Sequence, residues 1–282
     1  MRLRNLLFAP GDSARKAEKA LATAADGVIL DLEDSVATAA KPAARNAVAA
    51  LLATVRRANV LVRVNPIGTE FYLPDLAAIV PGRPAAVLLP KCEGPHHLAL
   101  LDHHLEALET AAGMPVGSIR VLALVTETAA SLGRMDYVGG PARVAGLCFG
   151  AEDLSADLGI VARRGGAYAA SVAAARTMTL LAAAAAGLPA IDTPFPDPRD
   201  PAGLEAEAAQ AAADGFAGKL CIHPAQLDPV ALAFTPGADQ VRWAEQVRAG
   251  FAERPGAGVF TLDGKMIDRP HLKLAERILA AV

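Results

Sequence analysis

The chain has 282 residues, of which 53% are hydrophobic and 20% charged, with a formal net charge of −3. That is apolar material for a large soluble core, and a length that a single α/β barrel routinely reaches. The charge balance leaves no electrostatic footprint for nucleic acid. No apolar run reaches the ~18 residues a membrane-spanning helix needs, so neither partner class is expected.

The amino end, Met1–Pro10, places basic residues before an apolar run, as a leader would. That run stops at Pro10-Gly11, too short for a leader's apolar segment, and reads instead as a first strand. Short apolar runs then recur between turn residues: Asn5–Ala9, Gly27–Leu32, Val60–Val64, Ala85–Leu89, Val121–Val125, Val144–Phe149, Pro189–Asp192 and Gly218–Ile222. Segments with helical spacing lie between them, notably Ala14–Ala25, Lys41–Arg57, Pro95–Ala112, Ala167–Ala186 and Leu204–Asp214. Strands that are continuously apolar are buried on both faces, as parallel strands covered by helices are. Such units in this number suggest a closed (β/α)8 barrel over residues 1–230. A doubly wound open sheet would give much of the same pattern. Its Rossmann form is disfavoured because Phe8–Ser13 lacks G-x-G-x-x-G.

Residues 231–282 are more than a barrel needs. They read as a helix Ala238–Ala252 with the single tryptophan, Trp243, a hairpin over Gly256–Gly264, and a last helix from about Arg269. This C-terminal helical and hairpin extension is a candidate lid or oligomer arm. Cys92, Cys148 and Cys221 lie in or beside strand-like runs without C-x-x-C spacing, and are expected to be reduced, buried thiols of a cytoplasmic protein. His96, His97, His103 and His104 repeat at seven residues on one helix, which invites a metal reading. No acidic or cysteine ligands accompany them, so a solvated face is the expectation.

In a barrel the chemistry sits where strands end at their carboxyl side. The second strand delivers Asp31, Glu33 and Asp34, the third Arg63 and Asn65, the fourth Lys91, the fifth Glu127, the sixth Glu152 and Asp153, and the eighth His223. Thr-Glu-Thr at 126–128 and Glu-Asp-Leu-Ser at 152–155 can be ordinary helix capping. Two carboxylates leaving neighbouring strands at one end of a sheet can also hold a hard divalent cation. Asp31, Glu33, Arg63 and Lys91 can also pair with one another in a structural ion network, which is the role expected of Asp31 and Lys91. Arg63 is expected to serve function, because its guanidinium grips a carboxylate with two arms.

The blocks Leu6–Gly11, Val28–Val36, Val62–Asn65, Leu89–Lys91, Glu127-Thr128, Phe149–Leu154, Gly218-Lys219 with Ile222–Pro224, and Gly264–Asp268 follow one another in an order that resembles the citrate lyase β-subunit-like family (HpcH/HpaI aldolase/citrate lyase), kin of the malyl-CoA and citramalyl-CoA lyases. The match spans nearly the whole chain, with Ala9 where the family often has Val and Thr126 where Ile is common. The resemblance implies a TIM barrel of the phosphoenolpyruvate/pyruvate class and a homo-oligomer, a homotrimer or hexamer. It implies a magnesium-dependent lyase that cleaves or forms a 3-hydroxyacyl thioester of malyl, citramalyl or citryl type. The products are a ketoacid or glyoxylate and an acyl thioester of coenzyme A.

Carried over residue by residue, Glu127 and Asp153 match metal ligands, and Arg63 and Glu127 match substrate contacts. Asp268 matches an acid/base that reaches a neighbouring subunit's site; its position also suits an N-cap for the last helix, with Pro270 in the first turn. Arg15 and Lys16, after the Gly11–Ser13 turn, could bind the phosphates of a coenzyme A thioester or form a solvated helical turn. Two rival functions share these residues: hydrolysis of a 3-hydroxyacyl-CoA thioester at the same site, and binding of an acyl carrier as a subunit of a citrate lyase complex.

Overall fold

A computed structural model describes residues 2–55 and 58–282. Eight strands form a closed barrel: β1 Asn5–Pro10, β2 Gly27–Asp31, β3 Val60–Arg63, β4 Ala86–Leu89, β5 Arg120–Leu124, β6 Val144–Cys148, β7 Ala190–Asp192 and β8 Gly218–Cys221. Neighbours in the barrel are neighbours in sequence, every pairing is parallel, and β8 closes onto β1. Each strand is followed by at least one helix before the next begins, the (β/α)8 order.

The apolar runs form strands because both of their faces are covered. Leu6, Ile29, Leu61, Leu88, Leu122, Cys148, Ile191 and Leu220, one from each strand, pack together inside the barrel. Their alternating neighbours, among them Leu7, Val28, Val62, Val87, Ala123 and Leu147, are equally buried under the helices. Truncating one interior leucine to alanine would cost roughly 2–5 kcal/mol. The seam between β8 and β1 depends on the absence of a side chain at Gly218. A Cβ there would fall 1.8 Å from the Leu3 carbonyl oxygen, so no other residue lets the two backbones meet.

The helices depart from the sequence reading mainly at their ends. Helix Lys41–Thr54 stops before Arg56 and Arg57, which lie outside the described residues. The segment expected as helix from Ala167 begins at Ala170 instead. Ala167-Tyr168 pair with Arg163-Arg164 in a two-residue ladder, turned by Gly165 and Gly166, both at positive φ where glycine is least strained. Helix Pro201–Asp214 starts earlier than expected because Asp200 caps it, accepting the Gly203 N–H at 2.9 Å. Helix Tyr72–Ile79 carries a proline at its third position and was not foreseen.

The chain divides into two compact units, residues 1–231 and 232–282. The second contains helix Ala238–Ala252, an antiparallel hairpin of Val259–Leu262 with Lys265–Asp268, and helix Arg269–Ala280. Its own small core is Ala244, Val247, Phe251, Ile267 and Ala275, against which Trp243 and Phe260 pack. Among the described residues no helix is long and apolar enough to cross a membrane.

Candidate active site at the barrel rim

Strands β5 and β6 are hydrogen-bonded neighbours, so Glu127 and Asp153, each a few residues past a strand end, leave the barrel side by side. The Glu127 side chain is buried, and its Oε2 accepts the Lys91 backbone N–H at 2.6 Å. No hydrogen bond among the described residues reaches its Oε1. Burial, then the charges of Glu33 and Asp153, push the Glu127 carboxyl up to about 8. A carboxylate so disfavoured would be stabilised by a cation beside it.

The donor set fits magnesium. It offers hard oxygen ligands, with one oxygen of the Glu127 carboxylate free of any hydrogen-bond donor among the described residues. Among the described residues no group of three or more His, Cys, Asp or Glu forms a ready cage. That suits an ion that takes one or two protein carboxylates and completes its octahedron with water and substrate oxygens.

Cations flank the acids. Arg63, at the end of β3, bonds Asp31 with two arms: Nε to Oδ1 at 2.7 Å and Nη2 to Oδ2 at 2.8 Å. Its Nη1 lies 2.9 Å from Glu33 Oε2, an ion pair whose N–H directions do not make a hydrogen bond. Asp31 is buried and also accepts the N–H groups of Glu33 and Ser35, so its role is the structural one expected for it. The Arg63 fork is therefore filled by the protein's own carboxylate, and its Nη1 side faces the acids of the rim. The guanidinium also stacks 4.8 Å from the centroid of the Phe8 ring, which holds its plane.

Lys91 ties the cluster together. Its φ of +47° is left-handed, unusual for a residue with a side chain and of a kind that gathers at functional sites. In that conformation the backbone N–H meets Glu127. The ammonium bonds Glu33 and lies 3.6 Å from Asp153 and 3.7 Å from Asp34. Burial alone would lower the Lys91 pKa, but the bond and charge of Glu33 and the charges of Glu127 and Asp34 raise it. Glu33 also shifts up, because burial outweighs Arg63 and Lys91. With the cations of Arg63 and Lys91 in direct contact with Glu33, the Glu33–Lys91 pair is ionic.

The turn that carries Asp153 is held by two threonine hydroxyls, neither of which is given a site role in the sequence reading. The Gly150 N–H donates to Thr126 Oγ1 at 3.1 Å and the Ala151 N–H to Thr193 Oγ1 at 3.2 Å. Gly150 packs so closely on Glu127 that a Cβ there would fall 2.5 Å from Glu127 Cγ. Position 126 differs from the common family residue, and that departure was the available signal.

Other expected residues fall elsewhere. Arg15 and Lys16 are exposed in the first turn of helix Ala14–Leu21. Asp268 belongs to the second compact unit, at the N-cap of helix Arg269–Ala280. Its Oδ1 lies 2.5 Å from His271 Nδ1, and its own backbone N–H lies 3.2 Å from the same ring nitrogen. The histidines of helix Pro95–Ala111 form no metal cluster among the described residues. His104 meets the Tyr72 hydroxyl, and His97 accepts the Glu93 N–H. All three cysteines are buried, free thiols. A cavity of about 400 Å³ beside helix Pro201–Asp214, lined by Tyr168, Arg176, Phe195 and Glu207 among others, includes neither Glu127 nor Asp153 in its wall.

Fold and rim together define an α/β-barrel protein with paired carboxylates, an arginine and a lysine at the carboxyl ends of its strands. The chain belongs to the HpcH/HpaI aldolase/citrate lyase family, matched over residues 4–224, and is an enzyme of that lyase class. It is 38% identical over 275 residues to a citrate lyase subunit beta-like protein of Mycobacterium tuberculosis, covering 97% of this chain and 93% of the relative. It is 34% identical over 281 residues to a (3S)-malyl-CoA thioesterase of Cereibacter sphaeroides, covering 98% and 93%. Among solved structures, the Mycobacterium tuberculosis protein CitE in complex with magnesium, acetoacetate and coenzyme A superposes with a TM-score of 0.78 at 37% identity. That match covers 99% of this chain and 98% of the other.

Proposed function

We propose that this protein is a magnesium-dependent carbon–carbon lyase acting on a 3-hydroxyacyl thioester of coenzyme A, of malyl, citramalyl or citryl type. The observation that carries the reading is the Glu127–Asp153 pair: adjacent strand-end carboxylates, one of them buried with an unbonded oxygen. The relative bound to magnesium, acetoacetate and coenzyme A supports the same ligand classes.

In the cleavage direction the 3-hydroxyl gives its proton to solvent water, the electron pair of the bond to the thioester's α-carbon passes to the thioester half, and that bond breaks. The hydroxyl-bearing half becomes a ketoacid or glyoxylate, and the other half leaves as a thioester enolate. Magnesium held by Glu127 and Asp153 would supply Lewis-acid polarisation of the ketoacid oxygens. Arg63, its plane fixed by Asp31 and Phe8 and its Nη1 set against Glu33, places a positive charge at the rim that would offset developing negative charge. Lys91 keeps the acids of β2 and Asp153 at fixed spacing. Asp268, contributed by a neighbouring subunit, gives a proton to the enolate carbon or removes it in condensation. The second unit then serves as an oligomer arm.

The thioesterase relative favours a second reading, in which water attacks the thioester at this same site. A panel of 3-hydroxyacyl-CoAs, assayed with and without EDTA for ketoacid and for free thiol, separates the two. Ketoacid formed with magnesium and lost with EDTA supports the lyase. Free thiol with the hydroxyacid intact supports hydrolysis. A purified chain silent on every substrate would point to the carrier-binding subunit of a larger lyase complex.

A further inference from the structure

We infer that Thr126 is a positioning residue for the carboxylate pair, its hydroxyl setting the spacing between Glu127 and Asp153. The inference rests on the proposal that these two carboxylates hold a divalent cation.

The backbone ladder between β5 and β6, the strands that carry the pair, ends with Val125 N–H to Cys148 O at 3.0 Å, and the ladder between β6 and β7 ends with Phe149 N–H to Ile191 O at 2.9 Å. Beyond that point the backbone N–H groups that open the helix holding Asp153 are taken by two threonine hydroxyls, while Asp157 at its far end accepts the Ala129 N–H at 2.7 Å. Thr193, from the loop after β7, takes the Ala151 N–H, and Thr126, from the loop after β5, takes the Gly150 N–H. Both threonines are buried, at 0% exposure for Thr126 and 1% for Thr193, so water is not at hand to replace either bond. Gly150, as N-cap of the helix starting at Ala151, has no side chain with which to cap it.

The Thr126 bond has two effects at once. It seats Gly150 against the Glu127 side chain, where a Cβ would collide at 2.5 Å, and so forms the wall that fixes the carboxylate's direction. It also sets where the helix bearing Asp153 begins, since Asp153 lies three residues further on. A residue of the same shape without the oxygen leaves the Gly150 N–H buried and unpartnered. The turn must then shift to find an acceptor, moving Asp153 and the wall behind Glu127 together. Cation affinity depends on that spacing, as it does on the groups that orient any metal ligand.

The test is Mn²⁺ binding to the full-length protein without substrate, followed by electron paramagnetic resonance, for the wild type and for Asp153→Ala, Thr126→Val and Thr126→Ser. We expect Asp153→Ala to lose binding, Thr126→Val to bind about 10–100-fold more weakly, and Thr126→Ser to stay within about twofold because it restores the acceptor. A purely structural role would lower thermal stability in Thr126→Val and leave affinity untouched well below the unfolding temperature. Wild-type affinity in folded Thr126→Val, or Thr126→Ser as weak as Thr126→Val, overturns the inference. Should Thr126→Val fail to fold, Thr126→Ala carries the same expected loss. Wild-type binding by Asp153→Ala would instead remove the cation-site reading, and the inference with it.

Discussion

Arg63 holds Asp31 with both arms of its guanidinium, at 2.7 and 2.8 Å, and turns its third nitrogen toward Glu33. A lysine at this position could reach one of those oxygens but not span both and face the rim as well. We therefore expect Arg63→Lys to lower kcat/KM by roughly tenfold to a thousandfold, the scale of removing one donor to a transition state. Asp31→Asn should reproduce part of the loss by freeing the guanidinium to turn. Full catalytic efficiency in Arg63→Lys would reduce Arg63 to a structural partner of the β2 acids.

The Glu127 carboxyl, pushed up to about 8 by burial and by Glu33 and Asp153, makes cation binding pH-dependent. At neutral pH the cation-free site keeps a proton there, and binding must release it. Because the folded pKa lies above the unfolded one, near 4.3, the folded state binds more protons between them. The cation-free protein should thus lose stability as pH rises from about 4.5 to about 8, and added Mg²⁺ should return it. Thermal unfolding with EDTA and with excess Mg²⁺ at pH 6, 7 and 8 reads this directly. A magnesium-induced shift in Tm that does not grow with pH would contradict the assignment of Glu127 as a ligand.

The barrel strands were legible because parallel strands buried on both faces leave continuous apolar runs, and each of the eight runs became a strand. Helix Tyr72–Ile79 was hidden by Pro74 and by its short length. Helix Ala151–Asp157 is a single seven-residue element whose first turn holds Glu152 and Asp153, so it looked like a cap alone. Among the site acids, Glu127 and Asp153 could be named because a strand end is visible in sequence. The pairing of Arg63 with the β2 acids was open to the sequence as an alternative to a substrate grip, whereas the grip of Thr126 on Gly150 was not, since register across a barrel decides which strand ends meet. The same holds for the buried network of Arg163, Arg176, Asp192, Glu207 and Lys219, whose members come from separate elements and share no motif.

That network centres on Lys219, which is fully buried and bonds Asp192 at 2.9 Å and Glu207 at 2.7 Å. Glu207 further meets Arg163 and the Tyr168 hydroxyl. Removing the ammonium leaves two carboxylates without it, so Lys219→Met should destabilise the barrel by about 3–5 kcal/mol. Burial alone would raise the Glu207 pKa, yet the bond from Arg163 and the charge of Lys219 bring it down to about 2. Its share of stability is present above pH ~4.3, the ordinary glutamate value, and is lost as pH falls toward 2. Urea unfolding at pH 7 and pH 3 should show the wild type weakening on acidification, and Lys219→Met weakened already at pH 7. A neutral result for Lys219→Met at pH 7 would show that an apolar side chain replaces the network without loss.

Asp268 offers the sharpest separation between a structural and a chemical role. It stands at the N-cap of helix Arg269–Ala280, and its carboxylate lies 2.5 Å from the His271 ring. Loss of a cap costs ~1 kcal/mol and spares turnover, whereas loss of an acid/base costs ~10²–10⁴ in rate. We expect Asp268→Asn to fall in the second range, with a thermal shift of only a few degrees. If the residue serves a neighbouring subunit's site, mixing Asp268→Asn with Asp153→Ala protomers should recover activity that neither shows alone. Each mixed pair of neighbours can hold one site in which Asp153 and Asp268 are both intact. Exchange confirmed by native mass spectrometry with no recovered activity would mean that every site is built within one chain.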